Sequence, residues 1–195
     1  MNVPFTTKQF FDVFAHYNAG IWPAQYVLIA LGVAVAIALF VNVRSSTVAL
    51  PILAFLWLWM GVVYFGGFFV AINPAAPIFA MAFVVEALLL IWSSVMSISP
   101  LEPSQPQRIV AAPLFAYALV LYPLLGLMQG QRYPASITFG LPCPTVIFTF
   151  GVLALLLHSV RPVVFIIPVL WAALGTVAAL QFGVLQDVTR WKEAT

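Results

Sequence analysis

An all-helical bundle that crosses a membrane is the fold class this sequence predicts, and three observations predict it. Hydrophobic residues make up 64% of the 195-residue chain. Charged residues supply only 6%, whereas soluble domains carry about 25%. The apolar residues also run in six long stretches, broken by proline, asparagine and arginine. A soluble domain of this length leaves roughly 30% of its unfolded surface exposed, and a composition this apolar cannot cover that surface with polar groups. Lipid must cover it instead. The chain, residues 1–195, reads as one polytopic membrane domain with six transmembrane helices and a short N-terminal interfacial amphipathic helix.

The interfacial helix spans 6–18. Thr6-Thr7-Lys8-Gln9 matches a capping box, with Thr6 as N-cap and Gln9 three residues on, and Phe5 and Phe10 have the spacing of a hydrophobic staple. Phe10, Val13, Phe14 and Tyr17 share one helical face, while Lys8, Asp12 and His16 share another. Such two-faced helices lie in the membrane surface. Asn18, Gly20 and Pro23 are expected to end it, and Trp22 and Tyr26 stand where an aromatic belt anchors the next helix.

The spans then run over 22–43, 47–72, 78–97, 109–130, 145–160 and 163–183. A crossing of about 30 Å needs roughly 20 residues at about 1.5 Å each. The fifth reaches only about 24 Å on that rise, so it is expected to begin below the membrane surface. The apolar run 137–141 before it would then dip inward, its backbone covered by protein. Asn73-Pro74 and Arg161-Pro162 make tight turns, and Pro100, Pro103 and Pro106 read as a stiff extended linker.

An even number of crossings places both termini, the Asn73 turn and the loop 131–145 on one side, with Arg44, Arg108 and Arg161 on the other. Because each of those arginines sits at the end of a span, that side is assigned as cytoplasmic and the termini as non-cytoplasmic. No segment has the build of a cleaved signal peptide, so the first span is expected to act as an uncleaved anchor. The scattered charges contain no nucleic-acid-binding patch, and the single Cys143 allows no intrachain disulfide.

Glu86 falls near the middle of the third span, where ionisable residues usually face the bundle interior and serve function. Ala82, Glu86, Ser93 and Ser97 form a small, polar stripe. The competing structural reading is a protonated carboxyl hydrogen-bonded to a neighbouring helix. Pro142-Cys143-Pro144 fixes the backbone around one thiol, and with Pro144 as first helical residue Cys143 becomes the N-cap of the fifth helix, a position that favours thiolate. A thiolate there could hold a soft metal, although a metal site wants two or more ligands. A rigid helix start with Cys143 as apolar filler is the simpler alternative. His16 shares the membrane face of Cys143. His16 and His158 lie at opposite ends of the spans, which disfavours a bis-histidine haem. Lys8 and Lys192 are both near the termini, which disfavours retinal.

Pro4-Phe5-Thr6, Gln9-Phe10, Tyr17-Asn18, Ile21 to Gln25, Ile72 to Ala75, Tyr122-Pro123, Tyr133-Pro134 and above all Thr138 to Thr145 carry a resemblance. The sequence resembles an uncharacterised family of bacterial multi-spanning membrane proteins with a Thr-Phe-Gly-Leu-Pro-Cys-Pro-Thr signature. Val146 departs from it, standing where a second threonine is expected. The resemblance implies a polytopic protein of the bacterial inner membrane and transfers no activity. All its pieces but Tyr122-Pro123 map to one membrane face.

Three functions compete. The first is a small transporter or channel for a small solute, proton or metal ion, its mouth built from the His16 helix, the Asn73 turn and the Cys143 loop, with Glu86 lower in the path. The alternative is a non-catalytic accessory or scaffolding subunit that meets lipid, a second copy or another membrane protein. Its packing faces would be aromatic or lined by Gly32 with Ala36 and Gly175 with Ala179. The third is a thiol or soft-metal site at Cys143. Pro142, Pro144, Thr145 and Tyr133 are expected to shape the loop, and Glu86, Cys143, His16, Asn73 and Ser93 to line the site.

Overall fold

The computed structural model describes residues 4–42, 46–96 and 102–182, the last six as backbone only. Arg44, Ser97, Pro100, Arg190 and Lys192 lie outside the described residues. Among the described residues the chain is all-helical, with seven continuous helices and no strand. They are α1 (Thr7–Gly20), α2 (Ala24–Val41), α3 (Ser46–Ala71), α4 (Ala76–Met96), α5 (Gln105–Met128), α6 (Pro142–Leu155) and α7, which opens with a 3₁₀ turn (Pro162–Phe165) and continues over Ile166–Phe182. Helices α2 to α5 are long and apolar enough to cross a membrane; α6 and α7 are apolar but shorter in the part described.

Helix α1 starts as its sequence dictates. The Thr6 hydroxyl accepts from the Gln9 amide N–H, the Gln9 side chain accepts from the Thr6 N–H, and the Phe5 and Phe10 rings stack at 6.0 Å. Its end falls among the residues expected to stop it: the helix runs through Asn18 and finishes at Gly20.

A second capping box, Ser104 with Gln107, begins α5 at Gln105. Pro106 therefore belongs to the first helical turn, where its missing N–H does no harm, rather than to an extended linker. Within α5 the stretch Tyr117–Leu121 widens to a π-turn. Pro123 follows it and cannot donate to Leu119, so a wider turn relieves a clash that an α-turn would impose. A longer π segment, Met60–Phe68, ends α3.

Helix α3 is the central post. It lies against α4, where Gly61 passes so near the Ala80 carbonyl that a Cβ would stand 3.0 Å from it, and the Trp57 and Phe83 rings meet at 4.5 Å. Trp171 of α7 closes this aromatic layer against Phe65 and Phe83 at 5.2 and 4.9 Å. Helices α5 and α6 pair through Phe115 and Phe148. The outer faces are apolar and open: Ile37 and Val41 on α2, Met81 and Leu88 on α4, Leu124 and Met128 on α5 are all exposed. Exposed apolar surface on this scale fits lipid as its covering.

Candidate functional site

Asn18 is the residue around which one end of the bundle is built. It is fully buried, and its side-chain amide donates to the carbonyls of Pro134 and Ser136 at 2.6 and 2.7 Å. Its own carbonyl accepts from the Gln25 amide and, at 3.3 Å, from the Tyr133 hydroxyl. Asparagine is a weak helix former, and here its amide is spent on a loop more than 110 residues away. The neighbouring Tyr17 continues the network. Its hydroxyl donates to the Gly140 carbonyl at 3.1 Å and accepts from the Trp59 indole at 2.9 Å. Burial holds that hydroxyl well above the usual tyrosine range, so it is a neutral donor at any physiological pH.

The loop itself folds inward. Ile137, Phe139, Gly140 and Leu141 are all buried, and the Gly140 N–H donates to the Thr145 hydroxyl at 3.2 Å. Thr145 and Thr149 are fully buried; the Thr149 hydroxyl donates to the Thr145 carbonyl at 2.8 Å and accepts from the Trp57 indole at 3.0 Å. Backbone between Ile137 and Leu141 is thus covered by protein. Gly140 has φ of +96°, a conformation that favours glycine. Gly32 lets Phe139 in: a Cβ there would lie 2.7 Å from its ring. That glycine serves the fold from within, not an outer packing face.

The loop's path changes the role expected of Cys143. The N-cap of α6 is Leu141 and Pro142 is its first residue, which makes Cys143 the second helical residue rather than the cap. Cys143 is half-buried, and Tyr122 lies beside its sulfur. Tyr122, the one signature residue expected elsewhere, therefore reaches the same cluster. Its ring also lines a small cleft with Tyr117, Gly126, Gln129 and Gln131. Among the described residues no three His, Cys, Asp or Glu side chains come together to hold a metal ion.

Asn73 is buried, and its side-chain oxygen accepts from the Ala75 N–H at 2.9 Å. This Asx turn starts α4. Glu86 is fully buried at the middle of α4, and neither carboxyl oxygen has a hydrogen-bond partner. Ser93 is buried two turns further along the same face. His16 is exposed and lines a second cleft, of about 370 Å³, with Gln9, Asp12, Gly67, Phe68 and Ile72. The structure thus brings the His16 helix beside the approach to the Asn73 turn. Neither cleft is lined by Glu86 or Cys143.

Sequence reasoning missed Asn18, Gln25, Trp57, Trp59 and Thr149. An amide in the first turn of an otherwise apolar helix is a signal available for Gln25; for the two tryptophans nothing in the sequence separates them from core.

An all-helical bundle with four helices fit to cross a membrane, and one end tied by a buried polar network, is the class these features define. The chain belongs to a family of unknown function (DUF6064), whose profile matches residues 7–193. Comparison with curated proteins and with solved structures found no match.

Proposed function

We propose that this is a six-crossing protein of the bacterial inner membrane that acts by binding, as a non-catalytic accessory subunit. In this reading α1 lies in the non-cytoplasmic interface and both termini share its side. One observation carries it. The buried side chains of Asn18, Thr145 and Thr149 are bonded to protein backbone rather than left to wet a path through the bundle. The exposed aromatic group of Trp22, Tyr26 and Tyr133, with Trp22 5.2 and 6.0 Å from the other two rings, fits a belt at that interface.

Purification in mild detergent tests the reading: the chain is expected to carry a stoichiometric protein or lipid partner, and a chain that runs with neither counts against it. Sidedness is read by single cysteines in a Cys143→Ser background. Labels at positions 8 and 105 are expected on opposite faces, with position 8 outside.

The partnerless Glu86 carboxyl favours a second reading, a proton or cation conduit. Decay of a pH gradient in proteoliposomes separates the two. Decay no faster than in protein-free vesicles supports the binding reading; faster decay that Glu86→Gln abolishes establishes the conduit.

A further inference from the structure

The His16 cleft has two unlike walls. One wall is the polar face of α1, with Gln9, Asp12 and His16; the other is the end of α3, with Gly67 and Phe68 of its π-helical stretch and Ala71 and Ile72 beyond it. Its volume, about 370 Å³, lies in the range of small-molecule sites. The walls are held at a fixed separation, because Gly20 lets the Phe68 ring approach α1 and Tyr17 meets that ring edge-on at 5.5 Å. At Gly67 the wall is bare: a Cβ added there would meet no atom within 4 Å.

The polar groups are arranged by charge. Asp12 pairs with Lys8 at 2.6 Å, but both side chains are open to solvent, 47% and 84% exposed, and such a pair is readily exchanged. Gln9 spends its oxygen on the Thr6 cap, which leaves its Nε2 as a donor. A ligand that offers an anion to Lys8, His16 and Gln9 and a cation to Asp12 replaces the existing pair with two charge-assisted sets. Beside these groups Phe68 presents an aromatic ring and Ala71 and Ile72 an apolar strip.

We propose that this cleft holds the headgroup of an aminophospholipid of the phosphatidylethanolamine type. The phosphate oxygens accept from Lys8, His16 and Gln9, the ammonium donates to Asp12 beside Phe68, and an acyl chain leaves along Ala71 and Ile72. The inference rests on the membrane reading of α1.

The test uses the full chain in detergent, titrated with dioleoylphosphatidylethanolamine and read by native mass spectrometry. One lipid is expected per chain. The double variant Asp12→Asn with His16→Ala, and separately Gly67→Leu, which fills the bare wall, should each weaken it at least about tenfold. Dioleoylphosphatidylglycerol, lacking the ammonium, should bind about tenfold more weakly, and soluble phosphoethanolamine should not displace the lipid. Asp12 and His16 lie on the open face of α1, so helical circular dichroism should be unchanged in the double variant; should Gly67→Leu misfold, the double variant carries the result. Equal retention by wild type and the double variant overturns the site. Equal binding of the two lipids overturns the role of Asp12, and displacement by phosphoethanolamine overturns the lipid as source. A chain that purifies without detergent overturns the membrane reading itself, whereas one that needs detergent and binds no lipid overturns only this inference.

Discussion

The Tyr17 hydroxyl donates to the Gly140 carbonyl across 3.1 Å, joining the first helix of the chain to the loop that precedes α6. The same oxygen accepts from Trp59 on α3, so three separate elements meet at one buried group. Tyr17→Phe removes both bonds and leaves a buried carbonyl and a half-buried indole without partners. Each such loss destabilises by about 1–3 kcal/mol. The expected result is a fall in thermal midpoint of several degrees in detergent, at about 2–4 °C per kcal/mol for a chain of this size. Unchanged melting would show that the tyrosine does not tie these elements together.

Asn18→Ala should be worse than Tyr17→Phe. It strips the donors from two carbonyls, Pro134 and Ser136, that have been drawn against α1. Alanine is the better helix former by about 0.7 kcal/mol at most, less than the cost of a buried orphan acceptor at Ser136 with a part-buried one at Pro134. Limited proteolysis supplies a second readout: cleavage at Arg132, on the exposed end of this loop, should speed up in the variant while other sites stay slow.

Gly140→Ala tests the loop geometry independently of hydrogen bonds. The residue has φ of +96°, and an added Cβ would stand 2.6 Å from Leu28. Left-handed backbone penalises a Cβ by about 1–2 kcal/mol, and forced overpacking adds about 1–3. Gly67→Ala is the control, since its Cβ meets open space; it should change stability by no more than about 0.5 kcal/mol. Equal effects from the two substitutions would show that the Gly140 turn is not held in this conformation.

The parts legible in the sequence are those fixed by neighbours in the chain. Thr6 and Gln9 bond three residues apart, so the start of α1 could be read to the residue. The same signal, Ser104 with Gln107, was present for α5 but lay among prolines that favour extended chain. The role of Asn18 is not legible because its partners are more than 110 residues distant; locally, an asparagine two residues before Gly20 argues only for a helix end. The start of α6 turned on a choice between two prolines. Either can open a helix, and the choice fell to Pro142 where Gly140 reverses the chain and Leu141 takes an extended conformation. That Tyr17 and Asn18 lie at the same end as the loop before α6 was legible, but not the physical content: the cluster is a clamp of side chains on backbone.

Glu86 offers the sharpest contrast between stability and use. Its two carboxyl oxygens are buried on α4 with no hydrogen-bond partner, in a helix apolar and long enough to cross a membrane. A carboxyl so placed contributes nothing to the fold by bonding and retains the desolvation penalty of an unpaired polar group, about 1–3 kcal/mol. Glu86→Met, which keeps length and volume while removing both oxygens, should therefore leave the thermal midpoint unchanged or raise it by a few degrees. Glu86→Gln keeps a polar head and should gain less. A clear loss of stability in Glu86→Met would mean that the carboxyl is a structural tie after all, which removes the ground for any proton-conduit reading. Neutral or raised stability would leave a residue that burdens the fold without supporting it, and the pH-gradient assay then decides whether that burden serves conduction.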